Sequence, residues 1–239
     1  MDVTKLIFQH VTPEVSARIG SLIGRKPDEA AQLMAAAIPG VLANLLDLTE
    51  DEEFEKAVRR APEGGLQALS GADAPTLETA ACDGLARGSA LVGGPSFAAL
   101  SAALERHAET CRDQARRIAG LAMQFSIAGI AEAGRAQGLD ARDSLRMFSE
   151  QRGSVALAIP GGFAEKLAER RLLQGLGDRV VEALAEARPA DGATNRPGAP
   201  DLPAQPGSAW WRWVIPGVAI LVALAIALIF LNGAPATTG

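Results

Sequence analysis

The stretch IAGLAMQFSIAGIA, residues Ile118 to Ala131, is apolar on nearly every side of a helical projection. A helix that is hydrophobic all round lies inside its domain and not at its surface. The stretch is too short to cross a lipid bilayer, and it contains the polar residues Gln124 and Ser126. It therefore predicts the central buried helix of a helical domain.

The composition of the whole chain favours the same architecture. Of the 239 residues, 47 are Ala, 4% are aromatic and none is Tyr. Ala is the strongest helix former, and aromatic residues, which favour strands, are few. We expect an all-α fold, with an Ala/Leu-rich helical domain over residues 1–188.

Proline and capping residues divide the sequence before the central helix into shorter helices. Thr12 is a plausible N-cap for a first amphipathic helix, and Pro39 with Gly40 is expected to kink or break the next one. Thr49 and Glu52 have the spacing of a capping box ahead of a helix that reaches Arg60. Residues 61–75 are rich in Gly, Ala and Pro and are expected to be weakly structured.

Further helices are expected from about Thr76 to Leu91 and from Ser96 to His107. After the central helix, Asp140 is predicted to cap a helix in which Asp143 is the third residue. A last amphipathic helix is predicted over Phe163–Arg188. Its apolar face is expected to pack onto its own domain; the alternatives, in order of preference, are self-association and contact with lipid. Its apolar stripe consists of Phe163, Leu167, Leu172, Leu173, Leu176, Val180 and Leu184.

Two similar segments suggest an internal duplication. AAAIPG spans Ala35–Gly40 and ALAIPG spans Ala156–Gly161. One interpretation is two related helical units, residues 1–62 and 96–188. The alternative is coincidence in a chain so rich in Ala.

The most apolar stretch lies near the carboxyl end. WVIPGVAILVALAIALIFL, Trp213–Leu231, contains no charged residue and as a helix would be about 28 Å long, close to the thickness of the bilayer hydrocarbon core. Trp210, Trp211 and Arg212 precede Trp213, and indole rings prefer the membrane–water interface. We predict a transmembrane helix over residues 210–231, with a lipid bilayer as its partner through 213–231, and a short tail over 232–239.

A Pro-rich linker is predicted to connect the domain to this span. Residues 189–209 hold five prolines and almost no apolar side chain that could pack, a composition typical of extended, disordered spacers. The amino-terminal segment has no signal-peptide pattern, since its longest apolar run is Leu6–Phe8 and Asp2 lies in the region that would be basic. We expect a tail-anchored, single-pass protein of the bacterial inner membrane, with its amino-terminal domain in the cytoplasm.

Two long segments resemble a known bacterial family. EAAQLMAAAIPGVLANLL (Glu29–Leu46) and RIAGLAMQFSIAGIAEAGRAQGLDARDSLRMFSEQRGSVALAIPGGF (Arg117–Phe163) are similar to the first and second units of the family called domain of unknown function 937. The resemblance covers about residues 1–165 and implies an all-helical domain of undefined activity. Relatives often continue into a membrane span and a periplasmic or cell-wall-binding module, whereas here eight residues follow the apolar run. An acidic helix around Glu50–Glu55 also replaces the family's Gly-rich first linker.

Charge and motifs argue against several functions. The net charge is -5, and no basic stripe with interleaved aromatic residues is present, so we expect no nucleic-acid partner. The acidic run from Asp47 to Glu55 lacks the alternation and the Gly of a calcium loop. His107 and Cys111 lie four residues apart, on one face of a predicted helix, and could form a thiolate–base pair, but a surface His beside a half-buried Cys is the preferred interpretation. No catalytic, cofactor-binding or metal-binding residue is predicted, and no cofactor.

The sequence therefore predicts a non-enzymatic scaffold or adaptor held at the membrane, with an unidentified protein partner. Ala219, Ala223 and Ala227 recur at a four-residue spacing that would allow close helix pairing in a homo-oligomer. One alternative is a carrier of a small apolar ligand or lipid, with a pocket lined by Leu121, Met123, Phe125 and Ile130. A less favoured alternative is an enzyme that uses Cys111.

Overall fold

The computed structural model describes residues 1–176, which form helices joined by short turns, with no strand within that range. The all-α prediction is confirmed for this part of the chain. The helices are α1 (Val3–His10), α2 (Pro13–Ile23), α3 (Pro27–Leu45), α4 (Glu52–Arg59), α5 (Gly65–Gly71), α6 (Ala74–Gly88), α7 (Gly94–His107), α8 (Arg112–Arg135), α9 (Ala141–Ser149), α10 (Arg152–Ala158) and α11 (Gly161–Ala168), with 3₁₀ turns at Leu46–Leu48 and Gln174–Leu176.

The predicted central helix is confirmed. α8 contains the stretch from Ile118 to Ala131 and extends beyond it at both ends. Except for Gln124, every residue of that stretch is buried. Helices α1, α3, α6, α7 and α9 all pack against α8, so the apolar side chains of residues 1–176 meet in one core around it.

Short polar side chains begin several of the helices. Asp140 caps α9 as predicted, because its carboxylate accepts a hydrogen bond from the backbone N–H of Asp143 at 2.8 Å. Thr12 caps α2 in the same way through Val15. The predicted capping box at Thr49 is wrong: Asp51 caps α4, and the Thr49 hydroxyl instead donates to the carbonyl of Leu46.

Proline 39 does not break its helix. α3 runs without interruption from Pro27 to Leu45, and every residue from Ala36 to Leu45 is buried. Among the described residues, Pro27–Leu48 is the one segment long and apolar enough to cross a membrane, and 72% of its most apolar window lies inside the fold. Burial on all sides explains the apolar composition of α3 and the helical conformation that persists across Pro39.

Residues 61–75 are more ordered than the sequence suggested. α5 lies within them, and polar side chains of α8 hold both α5 and the turn that precedes it. The carboxylate of Glu132 accepts a hydrogen bond from the backbone N–H of Leu66 at 2.9 Å, and Arg135 donates to the carbonyls of Ala61 and Pro62. These contacts come from α8, which explains why local composition did not predict them.

The last predicted amphipathic helix ends early. α11 stops at Ala168, and Arg171 has a positive φ of 57° that turns the chain. Leu172, Leu173 and Leu176 are nevertheless buried, so this part of the apolar stripe packs onto its own domain as expected. Several predicted features lie outside the described residues. They are the remaining stripe residues, the linker 189–209, the interface residues Trp210, Trp211, Arg212 and Trp213, and the apolar run to Leu231.

Candidate functional site

A cavity of about 410 Å³ lies where the end of α6, the first three turns of α7 and the start of α8 meet. Its volume is within the range typical of small-molecule sites. One part of the lining is apolar and the other carries hydroxyl and charged groups. The apolar residues are Leu85, Phe97, Ala98 and Ala102, and the polar ones are Ser89, Ser101, Glu105, Arg112 and Arg116.

A glycine lets the floor of the cavity form. The ring of Phe97 is 2% exposed and packs directly against Gly88, where a Cβ atom would stand only 2.5 Å from the ring. Ser101, one turn further along α7, donates its hydroxyl to the carbonyl of Phe97 at 3.1 Å. The ring of Phe97 therefore packs closely against the backbone of α6 at the floor of the cavity.

A π-helical turn forms the rim between α6 and α7. It covers Ser89–Gly93, and Gly93 has a φ of 89°, a conformation that glycine adopts at little cost. Ser89, the first residue of this turn, and Gly94, the residue after it, both line the cavity. A π turn inserts an extra residue into a helix and occurs frequently at functional sites.

Two arginines and one glutamate give the cavity its charge. Arg112 and Arg116 are one helical turn apart on α8 and are exposed, whereas Glu105 on α7 is half-buried. Within residues 1–176 neither guanidinium lies within ion-pair distance of a carboxylate, while the adjacent Arg117 pairs with Glu78 at 3.2 Å. The lining thus carries an excess of positive charge in a chain whose net charge is -5.

His107 and Cys111 do not share a helix, so that part of the sequence interpretation is wrong. His107 is the last residue of α7, and Cys111 is the residue that precedes α8. The imidazole is half-buried with its centroid 5.1 Å from that of Phe163, and Cys111 is exposed. Partial burial lowers the pKa of His107, and the positive charge of Lys166 lowers it further.

The other polar candidates have structural partners. His10 is half-buried, and its carbonyl accepts a hydrogen bond from the hydroxyl of Ser70 at 2.9 Å. In the acidic run, Asp51 caps α4, and Glu52 and Glu53 both pair with Lys56. Among residues 1–176 no group of three or more His, Cys, Asp or Glu side chains is arranged to hold a metal ion.

The predicted apolar pocket and the observed cavity are different places. Leu121, Met123, Phe125 and Ile130 are all 0% exposed and belong to the packed core. None of them lines the cavity between α6, α7 and α8. The carrier alternative places its pocket at the centre of α8, whereas the cavity lies at the amino-terminal end of that helix.

Sequence reasoning did not single out Phe97, Arg112 or Arg116. The signals available were modest: two arginines four residues apart at the start of the central helix, and the Gly-rich turn SALVGGP, Ser89–Pro95. Neither signal is specific without knowing that α7 folds back against the first turns of α8. Comparison with protein families, with characterised proteins and with solved structures finds no match for this chain.

Proposed function

We propose that this protein is a non-enzymatic scaffold or adaptor, tethered to the bacterial inner membrane by a carboxyl-terminal span and presenting its helical domain on the cytoplasmic side. The observation that carries the proposal is the uncharged, apolar run Trp213–Leu231, together with the tryptophans Trp210 and Trp211 that precede it. Residues of these types at this length favour insertion into a bilayer.

The packing of residues 1–176 supports a tethered domain in preference to a membrane-embedded one. The long apolar helix α3 is buried inside the fold and needs no lipid to cover it. Among the described residues, only Met1 and Leu157 are large apolar side chains that are strongly exposed. A domain that covers its own apolar surface needs the membrane for location and not for folding.

Tethering has a direct physical benefit for an adaptor. A flexible linker confines the domain near the membrane, which raises its effective concentration toward partners held at the same surface. The Pro-rich composition of residues 189–209 suits such a spacer. The resemblance to domain of unknown function 937 supports the bacterial membrane location, since relatives often place a similar domain before a span.

Charge insertion into the apolar run tests the tether. In the double variant Leu224→Arg/Leu228→Arg, two arginines near the centre of the run each oppose insertion by about 2.5–3.5 kcal/mol. We expect the full chain to stay with membranes after carbonate washing and the variant to be released. Ala199→Arg/Ala204→Arg adds the same charge to the linker and should remain membrane-bound. Release of the unaltered chain would refute the tether.

The adaptor role and the orientation need separate measurements. Protease added outside intact spheroplasts should leave the helical domain uncut, and its digestion would reverse the proposed orientation. Proteins cross-linked in cells to the full chain should be lost in the Leu224→Arg/Leu228→Arg variant and kept in the linker variant. Equal recovery with both variants would show that the tether does not bring the partners together.

A further inference from the structure

We propose that the cavity between α6, α7 and α8 binds a small single-chain amphiphile with a carboxylate head group. This goes beyond the scaffold role, since it gives the domain a ligand of its own. The apolar floor would hold the hydrocarbon chain, and the two arginines of α8 would hold the head group.

The apolar part of the cavity suits a short hydrocarbon chain. The buried ring of Phe97 and the side chains of Leu85 and Ala102 offer a surface on which methylene groups lose contact with water. The fold itself forms the floor, since the ring of Phe97 packs against Gly88. Preformed apolar sites with a few converging polar groups are typical of small-molecule binding.

The charged part selects an anion. Arg112 and Arg116 both line the cavity from one side of α8 and form no ion pair within residues 1–176. Guanidinium groups bind carboxylates with paired, charge-assisted hydrogen bonds. The positive end of the α8 dipole lies in the same place and adds to the attraction.

Glu105 limits the charge of the ligand. Glu105 lines the same cavity from α7, so its negative charge opposes a second negative charge on the ligand that is not held by an arginine. A singly charged carboxylate is therefore favoured over a phosphate dianion. A volume of about 410 Å³ also suits one short chain better than the two acyl chains of a phospholipid.

The test is equilibrium dialysis of labelled octanoate against the full chain in nanodiscs of zwitterionic lipid, with empty nanodiscs as the blank. We expect saturable binding of one octanoate per chain, with a dissociation constant on the order of 1 mM or below. Octanamide, which has the same chain and no charge, should bind about tenfold more weakly. Equal binding of octanoate and octanamide would overturn the assignment to a carboxylate.

Variants separate the head-group contacts from the apolar floor. Arg116→Ala should weaken octanoate binding about tenfold, whereas the control Arg142→Ala, at an exposed arginine of α9 outside the cavity, should leave it unchanged. Ala102→Phe should abolish binding by filling the space while both arginines remain. Circular dichroism of each variant checks that the helix content is retained. Binding that survives both Arg116→Ala and Ala102→Phe would place the octanoate elsewhere and refute the proposal.

Anionic nanodiscs distinguish a soluble ligand from membrane lipid. If the site takes a single-chain carboxylate, replacing part of the zwitterionic lipid by phosphatidylglycerol should leave octanoate binding unchanged once the blank is subtracted. Displacement of octanoate by phosphatidylglycerol would assign the arginines to lipid head groups and overturn the proposal. The tether can fail its own carbonate test without affecting this result.

Discussion

Helices α6 and α7 follow each other in the chain and pack against the same central helix, yet they approach it in different ways. At α6 the backbones touch: a Cβ on Gly84 would stand 1.9 Å from the carbonyl oxygen of Gly120. Helix α7 also packs against α8, but a cavity of about 410 Å³ remains between α6, α7 and the start of α8, and the ring of Phe97 on α7 packs against Gly88 of α6. The comparison shows that the side chain at the contact decides whether two helices close completely or leave room for a ligand.

The difference has an energetic consequence. Where backbones are in contact, an added atom can be accommodated only by separating the helices, which breaks the packing along the whole interface. Where a ring borders a cavity, the ring itself can move. Substitutions at Gly84, which meets the backbone of α8, and at Gly88, which meets the ring of Phe97, should therefore differ in cost even when the initial clash is similar.

The largest effect is expected at Gly84. Gly84→Ala places its Cβ against the backbone of α8, and we expect the free energy of unfolding to fall by about 3 kcal/mol. Chemical denaturation of the full chain followed by circular dichroism measures this. The control is Gly153→Ala within α10, where a Cβ meets no atom within 4 Å and the gain in helix propensity is about 0.5–1 kcal/mol. Equal stability of the two variants would contradict backbone contact between α6 and α8.

A smaller loss is expected at Gly88, one turn further along α6. There the added Cβ would lie 2.5 Å from the ring of Phe97, which can shift toward the cavity, so we expect Gly88→Ala to cost about 1–2 kcal/mol. Combining it with Phe97→Leu should recover part of the loss, because the clash is removed and the two sites are coupled. Strict additivity in this double-mutant cycle would argue against the contact.

Filling the cavity should cost little. Ala102 is half-buried and lines the cavity, so Ala102→Phe should change the free energy of unfolding by less than about 1 kcal/mol. The neighbouring Ala103 is 0% exposed and belongs to the core, and Ala103→Phe should be destabilising by about 3 kcal/mol. If Ala102→Phe and Ala103→Phe lowered the thermal unfolding temperature equally, the space beside α7 would not exist.

The smallest effect expected is a pH dependence of the free energy of unfolding caused by His107, the last residue of α7. Burial first and the charge of Lys166 second lower the pKa of His107 from its ordinary value of 6.5. The unfolded chain therefore binds a proton more readily than the folded one, and stability falls as the pH drops below about 6.5. His107→Phe keeps a ring against Phe163 and should flatten the stability profile between about pH 7.5 and 5.5. A profile as steep as that of the unaltered chain would show that His107 is not responsible.

Hydrophobic periodicity predicted which segments are helical and which one is central. The all-round apolar character of Ile118–Ala131 led directly to α8, and the cap at Asp140 led to the start of α9. These features depend on neighbours within one or two turns, so a local pattern carries them. Local composition failed at α5, because the contacts that hold it come from Glu132 and Arg135, far along the chain.

The two Ile-Pro-Gly segments show how context overrides local preference. Ile159 and Pro160 end α10 with extended backbone, as the restriction before a proline predicts. The first segment, at Ile38–Gly40, stays helical inside α3, with its glycine against Phe163 and Leu100. The same three residues end a short, partly buried helix and continue a long buried one, since packing on all sides offsets the hydrogen bond that Pro39 cannot form.

By itself the sequence determined the all-helical class of residues 1–176, the central helix, and the caps at Thr12 and Asp140, because these follow from side-chain periodicity and short-range hydrogen bonding. Only the tertiary structure decided that Gly84 meets Gly120, that Pro39 is tolerated, and that Phe97, Arg112 and Arg116 surround one cavity. The residues in each of those contacts are distant in the chain or depend on a partner helix. Their proximity is set by how whole helices pack, which no local pattern records.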